Sequence, residues 1–295
     1  MLDAVCNAAR EVTERSAGHR VFVAIGDSFT EGVGDDAPHL PHGVRGWADR
    51  VAQELQARDD SWRYANFAIR GKRLEHVICE QLEPALRLRP EIVSIYPGGN
   101  DLLALRADLP ALIRRYDALV QRVRESGAQA LLFTGYPVPL SPLLEPLKLR
   151  NAAYNAGVRS IAHRYGAMLV DYWCFEQFQD LRMWADDRLH MSTRGHIYLA
   201  AKVLEIIGIP HRLESAPLGQ PPKYTRWQQA RSRWDWSRRH FAPWLGRRLR
   251  GVSSGDGLGP RYPAPIQVPV QRVNGSALPG PKGQAAATPS PIVHA

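Results

Sequence analysis

Residues 26–32 read G-D-S-F-T-E-G and directly follow the apolar run V-F-V-A-I at 21–25, which places a serine, Ser28, just past what reads as a buried strand. A serine hydroxyl is a weak nucleophile. It needs a base to take its proton, a group that orients the base, and N–H donors for the oxyanion that forms on an attacked carbonyl. His190, in D-D-R-L-H-M-S (186–192), is the candidate base. Asp187 lies three residues earlier, within one turn of loop, where its carboxylate can accept from the imidazole Nδ1–H and leave Nε2 free for the serine. Asp186 is the alternative orienter, at a less favourable spacing. Three oxyanion donors are available. Gly71, in N-F-A-I-R-G (66–71), offers an unobstructed backbone N–H, and Asn100, in P-G-G-N-D (97–101), offers a side-chain amide. Ser28 itself sits where a helix would begin, so its own N–H is unpaired. The chemistry is acyl transfer. The competing reading of Ser28 is a helix N-cap, and that of Asn100 and Asp101 a turn or cap.

For these residues to meet, the chain must bring several loops to one edge. V-F-V-A-I (21–25), R-Y-A-N-F-A (63–68), I-V-S-I-Y (92–96), A-L-L-F-T-G-Y (130–136) and A-M-L-V-D-Y (167–172) read as five short strands. They are apolar throughout, as expected of a parallel sheet covered by helices on both faces. Helical patterns occupy about 46–57, 73–88, 110–126 and 147–165, and a last helix runs from Ser192 as N-cap to Gly208. The expected fold is α/β: a three-layer, flavodoxin-like arrangement with a five-stranded parallel sheet, followed by a basic C-terminal extension. Ligands of such sheets bind beyond the carboxyl ends of the strands. Ser28, Gly71 and Asn100 each follow one of those ends.

At this point the chain resembles the SGNH (GDSL) hydrolase superfamily. Its four blocks are present in family order: G-D-S with Ser28, N-x-x-x-x-G with Gly71, G-x-N-D with Asn100, and D-x-x-H with Asp187 and His190. The resemblance covers roughly residues 20–208 and suits an actinobacterial-style cytoplasmic subgroup carrying a basic extension. It implies Ser28 as nucleophile, His190 as base and Asp187 as its orienter. Ser28 N–H, Gly71 N–H and Asn100 are then the oxyanion hole. Phe29 stands where the family often has leucine. The implied activity is that of a serine hydrolase cleaving carboxylic esters (esterase or lipase type) through an acyl-enzyme. Thioesterase and carbohydrate acetylesterase are alternatives on the same machinery. No metal or organic cofactor is implied. A flavodoxin-like phosphate or flavin site at G-D-S-F-T-E-G, or a non-catalytic scaffold targeted by its basic tail, are the rivals. The first of these has no use for Asp187, His190 or Asn100.

Charge and composition divide the chain. The net charge is +9, but twelve Lys/Arg against two Asp/Glu from residue 217 onward leave the preceding 216 residues at −1. Basicity therefore says nothing about the substrate of the main domain. The expected units are an N-terminal helix (1–19), the hydrolase domain (20–210), a Trp/Arg-rich amphipathic stretch (211–250) and a Pro/Gly-rich, disordered tail (251–295). Within the third unit Trp227, Trp234 and Phe241 recur every seven residues, an aromatic face expected to pack back on the hydrolase domain. Peripheral contact of residues 223–250 with an anionic membrane surface is the second reading, and nucleic acid is disfavoured. G-V-S-S-G (251–255) matches a nucleophile-elbow pattern but lacks the strand and helix that motif requires, so it reads as chance. His196 reads as a packed helix residue, and His39 and His42 as a solvated loop rather than a metal site. The loops at 33–45 and 138–148 are expected to shape the pocket, with P-V-P-L-S-P-L-L-E-P-L (137–147) as a wall or lid. Cys6, Cys79 and Cys174, odd in number and widely spaced, suit reduced thiols. The first twenty residues contain no signal-peptide core, and a cytoplasmic location is expected. The partner is a small-molecule ester.

Overall fold

The structure, a computed structural model, describes residues 18–104, 107–136, 145–214, 217–220, 225–243, 246, 250 and 252–268. The expected N-terminal helix and most of the proline-rich lid therefore lie outside the described residues, as does the tail beyond 268.

Five parallel strands form where apolar runs are flanked by turn residues: β1 (Arg20–Gly26), β2 (Trp62–Asn66), β3 (Ile92–Tyr96), β4 (Gln129–Phe133) and β5 (Met168–Val170). Helices alternate with them. α1 (Ser28–Glu31) and α2 (Trp47–Arg58) follow β1. α3 (Leu74–His76) runs through a π turn (Val77–Leu82) into α4 (Glu83–Arg87), so the helical pattern at 73–88 is not one regular helix. Next come α5 (Gly99–Leu102), α6 (Leu109–Glu125), α7 (Glu145–Tyr165), α8 (Thr193–Ile206) and α9 (Arg226–Trp236). Ser192 caps α8 as expected, its side chain accepting from Gly195 N–H. No helix among the described residues is long and apolar enough to cross a membrane.

Successive residues of β1 point to opposite faces, and both faces are buried. Val21, Val23 and Ile25 join α3, α4, α6 and α7 in one core. Phe22 and Ala24 join Trp47 and Val51 of α2 and Leu199 and Val203 of α8 in the other. Burying a side chain of the size of valine, isoleucine or phenylalanine stabilises the fold by roughly 1.5–3 kcal/mol, so these apolar runs are a main contribution to holding the sheet between its helical layers.

The sheet has six strands, in the order β5-β4-β3-β1-β2-β6, and not five. The sixth, β6 (Tyr262–Ile266), is antiparallel to β2 and comes from within the segment expected to be disordered. Its sequence, Y-P-A-P-I, explains why it can only sit at an edge. Pro263 and Pro265 lack the N–H that an inner strand needs, and β6 pairs with β2 only at Tyr64–Ile266 and Asn66–Tyr262. A Pro/Gly-rich segment cannot build a core of its own, but residues 252–268 need none, because they add to one already formed.

Candidate active site

The register of the sheet places the candidate residues. Gly26 is level with Tyr96 across β1 and β3, so Ser28 and the P-G-G-N-D turn emerge side by side. The chain leaving β2 climbs alongside β1, with Phe67 N–H donating to Ala24 O and Ile69 N–H to Gly26 O. It thereby delivers Arg70 and Gly71 to the same edge. Gln81, on the π turn, closes this edge from below. Its amide accepts from Gly26 N–H at 2.8 Å and donates to Gly26 O at 2.9 Å, holding the last residue of β1 before the turn that carries Ser28. Phe29 points down into an aromatic cluster, stacked on Tyr96 at 3.8 Å and near Phe133 and Tyr172.

Ser28 is not the helix cap. Asp27 is, its carboxylate accepting from Phe29 N–H at 3.1 Å, which leaves the Ser28 hydroxyl free for other work. Ser28 Oγ lies 3.0 Å from His190 Nε2, and His190 Nδ1 lies 2.6 Å from Asp187 Oδ2. The carboxylate that reaches the ring is therefore that of Asp187. Its other oxygen accepts from the backbone N–H groups of Leu189 and His190, at 2.9 and 3.0 Å. Burial pushes the Asp187 carboxyl up, but the hydrogen bond and charge of His190, with these two N–H groups, outweigh it and hold the pKa at about 2. Asp187 is thus an anion throughout the physiological range and fixes the tautomer that leaves Nε2 unprotonated.

The loop bearing Asp187 and His190 is closed by Ala185 N–H donating to His190 O and by a bridge between Trp184 and Met191. It abuts the loop that follows Ser28 at Gly34, whose φ is +96°. A Cβ there would come within 2.2 Å of Met191 O, so only glycine allows the two loops to touch. The helix α9 holds the same loop from outside. Trp236 Nε1–H donates to Asp187 O at 2.9 Å. Arg188, a non-glycine residue at φ +55°, donates to Ser232 Oγ and lies over the Trp236 ring. The expected aromatic face behaves differently: Trp227 and Trp234 are 80% and 71% exposed. Packing back falls to the opposite side of the helix, through Ser232 and Trp236, because it is the indole N–H of Trp236 that finds a carbonyl acceptor.

The proposed oxyanion donors are partly preformed. Among the described residues neither Ser28 N–H nor Gly71 N–H has a hydrogen-bond partner. Asn100 stands at the same edge, but its amide donates to Asp27 Oδ2 at 3.2 Å and to Lys72 O at 3.0 Å. It can serve an oxyanion only by releasing one of these. Asp27 is the weaker hold of the two once protonated, and burial raises its pKa to about 7, against the opposing effects of Phe29 N–H and His190. Asp101, next in the turn, accepts from Leu74 N–H.

Glu31 was not among the expected residues. It is wholly buried and accepts from Arg70 N–H at 2.5 Å, from the Arg70 guanidinium, and contacts His42 Nδ1 at 2.8 Å. His42 is therefore linked through Glu31 to the Arg70–Gly71 loop rather than being a solvated residue, while His39 is exposed. An acid five residues past the end of an apolar strand, with an arginine next to Gly71 to pair with it, was the available signal. No group of three or more His, Cys, Asp or Glu among the described residues is arranged to hold a metal ion.

His196 is fully buried on α8. Trp47 N–H donates to its Nδ1 at 3.1 Å, so the proton sits on Nε2, which donates to Val33 O at 3.2 Å. Burial lowers its pKa from 6.5 to about 4. The folded protein thus binds fewer protons here than the unfolded chain between those values. This contribution is complete above pH 6.5 and is lost as pH falls to 4, in total about 3 kcal/mol. Asp27 and Asp49 shift the opposite way, so the test is a difference. Urea unfolding at pH 7 and pH 5 should show a drop in stability for the wild type that is largely missing in His196→Gln. Equal drops in the two proteins would refute the assignment.

Residues 24–197 match the GDSL-like lipase/acylhydrolase family. Among solved structures, the chain is similar to Axe2, an acetylxylan esterase from Geobacillus stearothermophilus. The identity is 23%, over 66% of this chain and 97% of that one, with a TM-score of 0.56. It is similar also to LAE5, an alpha/beta hydrolase enzyme from the metagenome of Lake Arreo, Spain, at 24% identity over 66% and 98%, TM-score 0.55. TesA matches at 21% identity over 64% and 98%, TM-score 0.54. These likenesses show the fold. No curated protein matches the chain.

Proposed function

The chain belongs to the GDSL-like lipase/acylhydrolase family and is a serine hydrolase of esters, and from that premise we propose that Ser28, His190 and Asp187 carry the reaction. One observation carries this reading: the continuous line Ser28 Oγ–His190 Nε2–Nδ1–Asp187 Oδ2, with both contacts at 3.0 Å or less. His190 takes the serine proton as Oγ attacks the acyl carbon, and Asp187 stabilises the imidazolium that results. The Ser28 and Gly71 N–H groups hold the oxyanion, joined by the Asn100 amide when it leaves Asp27. His190 then protonates the departing alcohol and activates the water that releases the acid. The acetylxylan esterase likeness supports acetate esters of carbohydrates as the substrate class to try first. Catalytic mutants of that enzyme at a serine, an aspartate and a histidine are the same three residue types proposed here.

The test is active-site labelling. A fluorophosphonate should attach stoichiometrically to Ser28, located by peptide mass spectrometry, and hydrolysis of p-nitrophenyl acetate should fall in proportion. Hydrolysis that survives full labelling, or a label on another residue, would overturn the proposal.

We further propose that the outer face of α9 rests on an anionic membrane surface. Trp227, Arg231 and Trp234 share one exposed stripe at i, i+4 and i+7, while the opposite face is engaged at Asp187. Tryptophan and arginine together suit the headgroup boundary. Sedimentation should show binding to phosphatidylglycerol vesicles, weakened by salt, and little to phosphatidylcholine alone. The double variant Trp227→Ser, Trp234→Ser should lose it. Equal binding of wild type and variant, or none by either, would remove this surface from consideration.

A further inference from the structure

Residues 252–268 lie beyond the stretch that matches the family, yet they reach the loop carrying the Gly71 donor. We propose that Ser253 is a positioning residue: its hydroxyl holds the Arg70 carbonyl and so aims the Gly71 N–H at the oxygen of an ester bound to Ser28. This inference rests on the ester-hydrolase reading of Ser28.

The physical link is the peptide plane. Arg70 C=O and Gly71 N–H belong to the same trans peptide unit, planar and with the two groups pointing in opposite directions. Whatever fixes the carbonyl on one side fixes the direction of the N–H on the other. Ser253 Oγ donates to Arg70 O at 3.3 Å and accepts from Gly255 N–H at 3.1 Å, so its single proton goes to that carbonyl. The hydroxyl is itself held, because Ser253 N–H donates to Asp256 Oδ2 at 2.8 Å. On the far side of the residue, Arg70 N–H is bound by the buried Glu31. The units before and after Arg70 are thereby clamped from two different parts of the chain.

Packing requires the same arrangement. A Cβ on residue 71, whose φ is +80°, would lie 1.8 Å from Ser253 Oγ, and a Cβ on residue 255 would lie 2.0 Å from Arg70 O. The Ser253 side chain lies against the Cα of residue 71, and the backbone of residue 255 against the Arg70 carbonyl, so neither position leaves room for a Cβ and both need glycine. The segment delivering Ser253 is anchored further on. Arg261 donates to the carbonyls of Glu31, Pro41, Val44 and Arg45, and to Asp49; β6 pairs with β2; and Val268 N–H donates to Gln56. The serine of G-V-S-S-G is no nucleophile elbow, but it acts on the same site from behind.

Ser253→Ala removes the donor and leaves these anchors in place, and the exposed neighbour Ser254→Ala is the control. Losing one oxyanion donor outright costs roughly 10²–10³ in rate. A donor that remains but is no longer aimed should cost less. The expectation for Ser253→Ala is a kcat about tenfold below wild type with KM within about twofold, and about tenfold weaker inhibition by a boronic acid analogue of the tetrahedral intermediate. Ser254→Ala should match wild type, and Ser253→Thr, which keeps the hydroxyl, should recover most of the kcat. A folded Ser253→Ala protein with wild-type kcat overturns the inference, as does one in which only KM rises. If Ser253→Ala fails to fold, Gly255→Ala, whose Cβ displaces the Arg70 carbonyl, should lower kcat at constant KM, and an unchanged kcat overturns the inference. Fluorophosphonate titration of the same samples separates the two levels. No label on Ser28 of the wild type removes the ester-hydrolase reading itself, whereas full labelling with unaltered kcat removes only the role of Ser253.

Discussion

Alanine in place of Ser28 is expected to lower kcat for p-nitrophenyl acetate by about 10⁶-fold and to abolish fluorophosphonate labelling, while the thermal midpoint stays close to wild type. Ser28 is partly exposed and does not cap α1, so removing its hydroxyl opens no cavity and leaves no helix N–H unpaired. The residual rate comes from the N–H donors and from binding. His190→Ala should cost about as much, and the double variant no more than either single one, because nucleophile and base act as one unit. Asp187→Asn should cost less, on the order of 10⁴-fold, by favouring the tautomer with its proton on Nε2. A Ser28→Ala protein that retains more than a hundredth of the activity would exclude the serine as nucleophile. Additive losses in Ser28→Ala and His190→Ala would show that the two do not work on the same step.

Methionine in place of Arg261 is expected to destabilise the fold by about 3–5 kcal/mol, read as a fall in the urea midpoint. The Arg261 and Asp49 side chains are 0% and 1% exposed, and the guanidinium also serves four backbone carbonyls. Taking it away strands Asp49 and the buried carbonyls of Glu31 and Val44, and releases those of Pro41 and Arg45. Burial already lifts the Asp49 pKa to about 6 against the opposing charge of Arg261, so without that charge the carboxyl is pushed higher still and must take up a proton or stay buried as an unpaired anion, either of which costs stability. The companion variant Asp49→Asn in the Arg261→Met background should restore part of the loss, since removing both charges of a buried pair costs less than removing one. Amide exchange should be fastest in β6 and residues 252–258, which lose their anchor. A loss below about 1 kcal/mol would mean that this segment is held by something other than Arg261.

The chemistry of the candidate site was legible where its parts are local. Asp187 and His190 are three residues apart on one loop, and the same short stretch supplies the N–H groups of Leu189 and His190 that hold the Asp187 carboxylate. Gly71 announced a backbone conformation that other residues avoid. The apolar runs and helical patterns were sufficient for five strands and their covering helices, because side-chain periodicity reports burial directly. With five parallel strands in that order, the carboxyl ends that carry Ser28, Gly71 and Asn100 had to share an edge.

What escaped the sequence has a common cause. Gln81 holds the backbone of Gly26, Trp236 the carbonyl of Asp187, Ser253 the carbonyl of Arg70, and Arg261 four further carbonyls. Every residue has a carbonyl, so such a partner leaves no mark on the residue types at either end. The seven-residue recurrence of Trp227 and Trp234 told which residues share a face of α9, not which face would dock, and the docked side turned on Ser232 and Trp236, which meet Arg188 and the Asp187 carbonyl. Composition likewise describes whether a segment can build a core, not whether it can borrow one. Residues 252–268 complete the sheet because an edge of β2 was open to them. The sequence by itself determined the layered fold and the kinds of groups that meet at its edge, through local spacing and burial. The distances between those groups, and the C-terminal segment that braces them, were decided only in the tertiary structure, where backbone atoms far apart in the chain become partners.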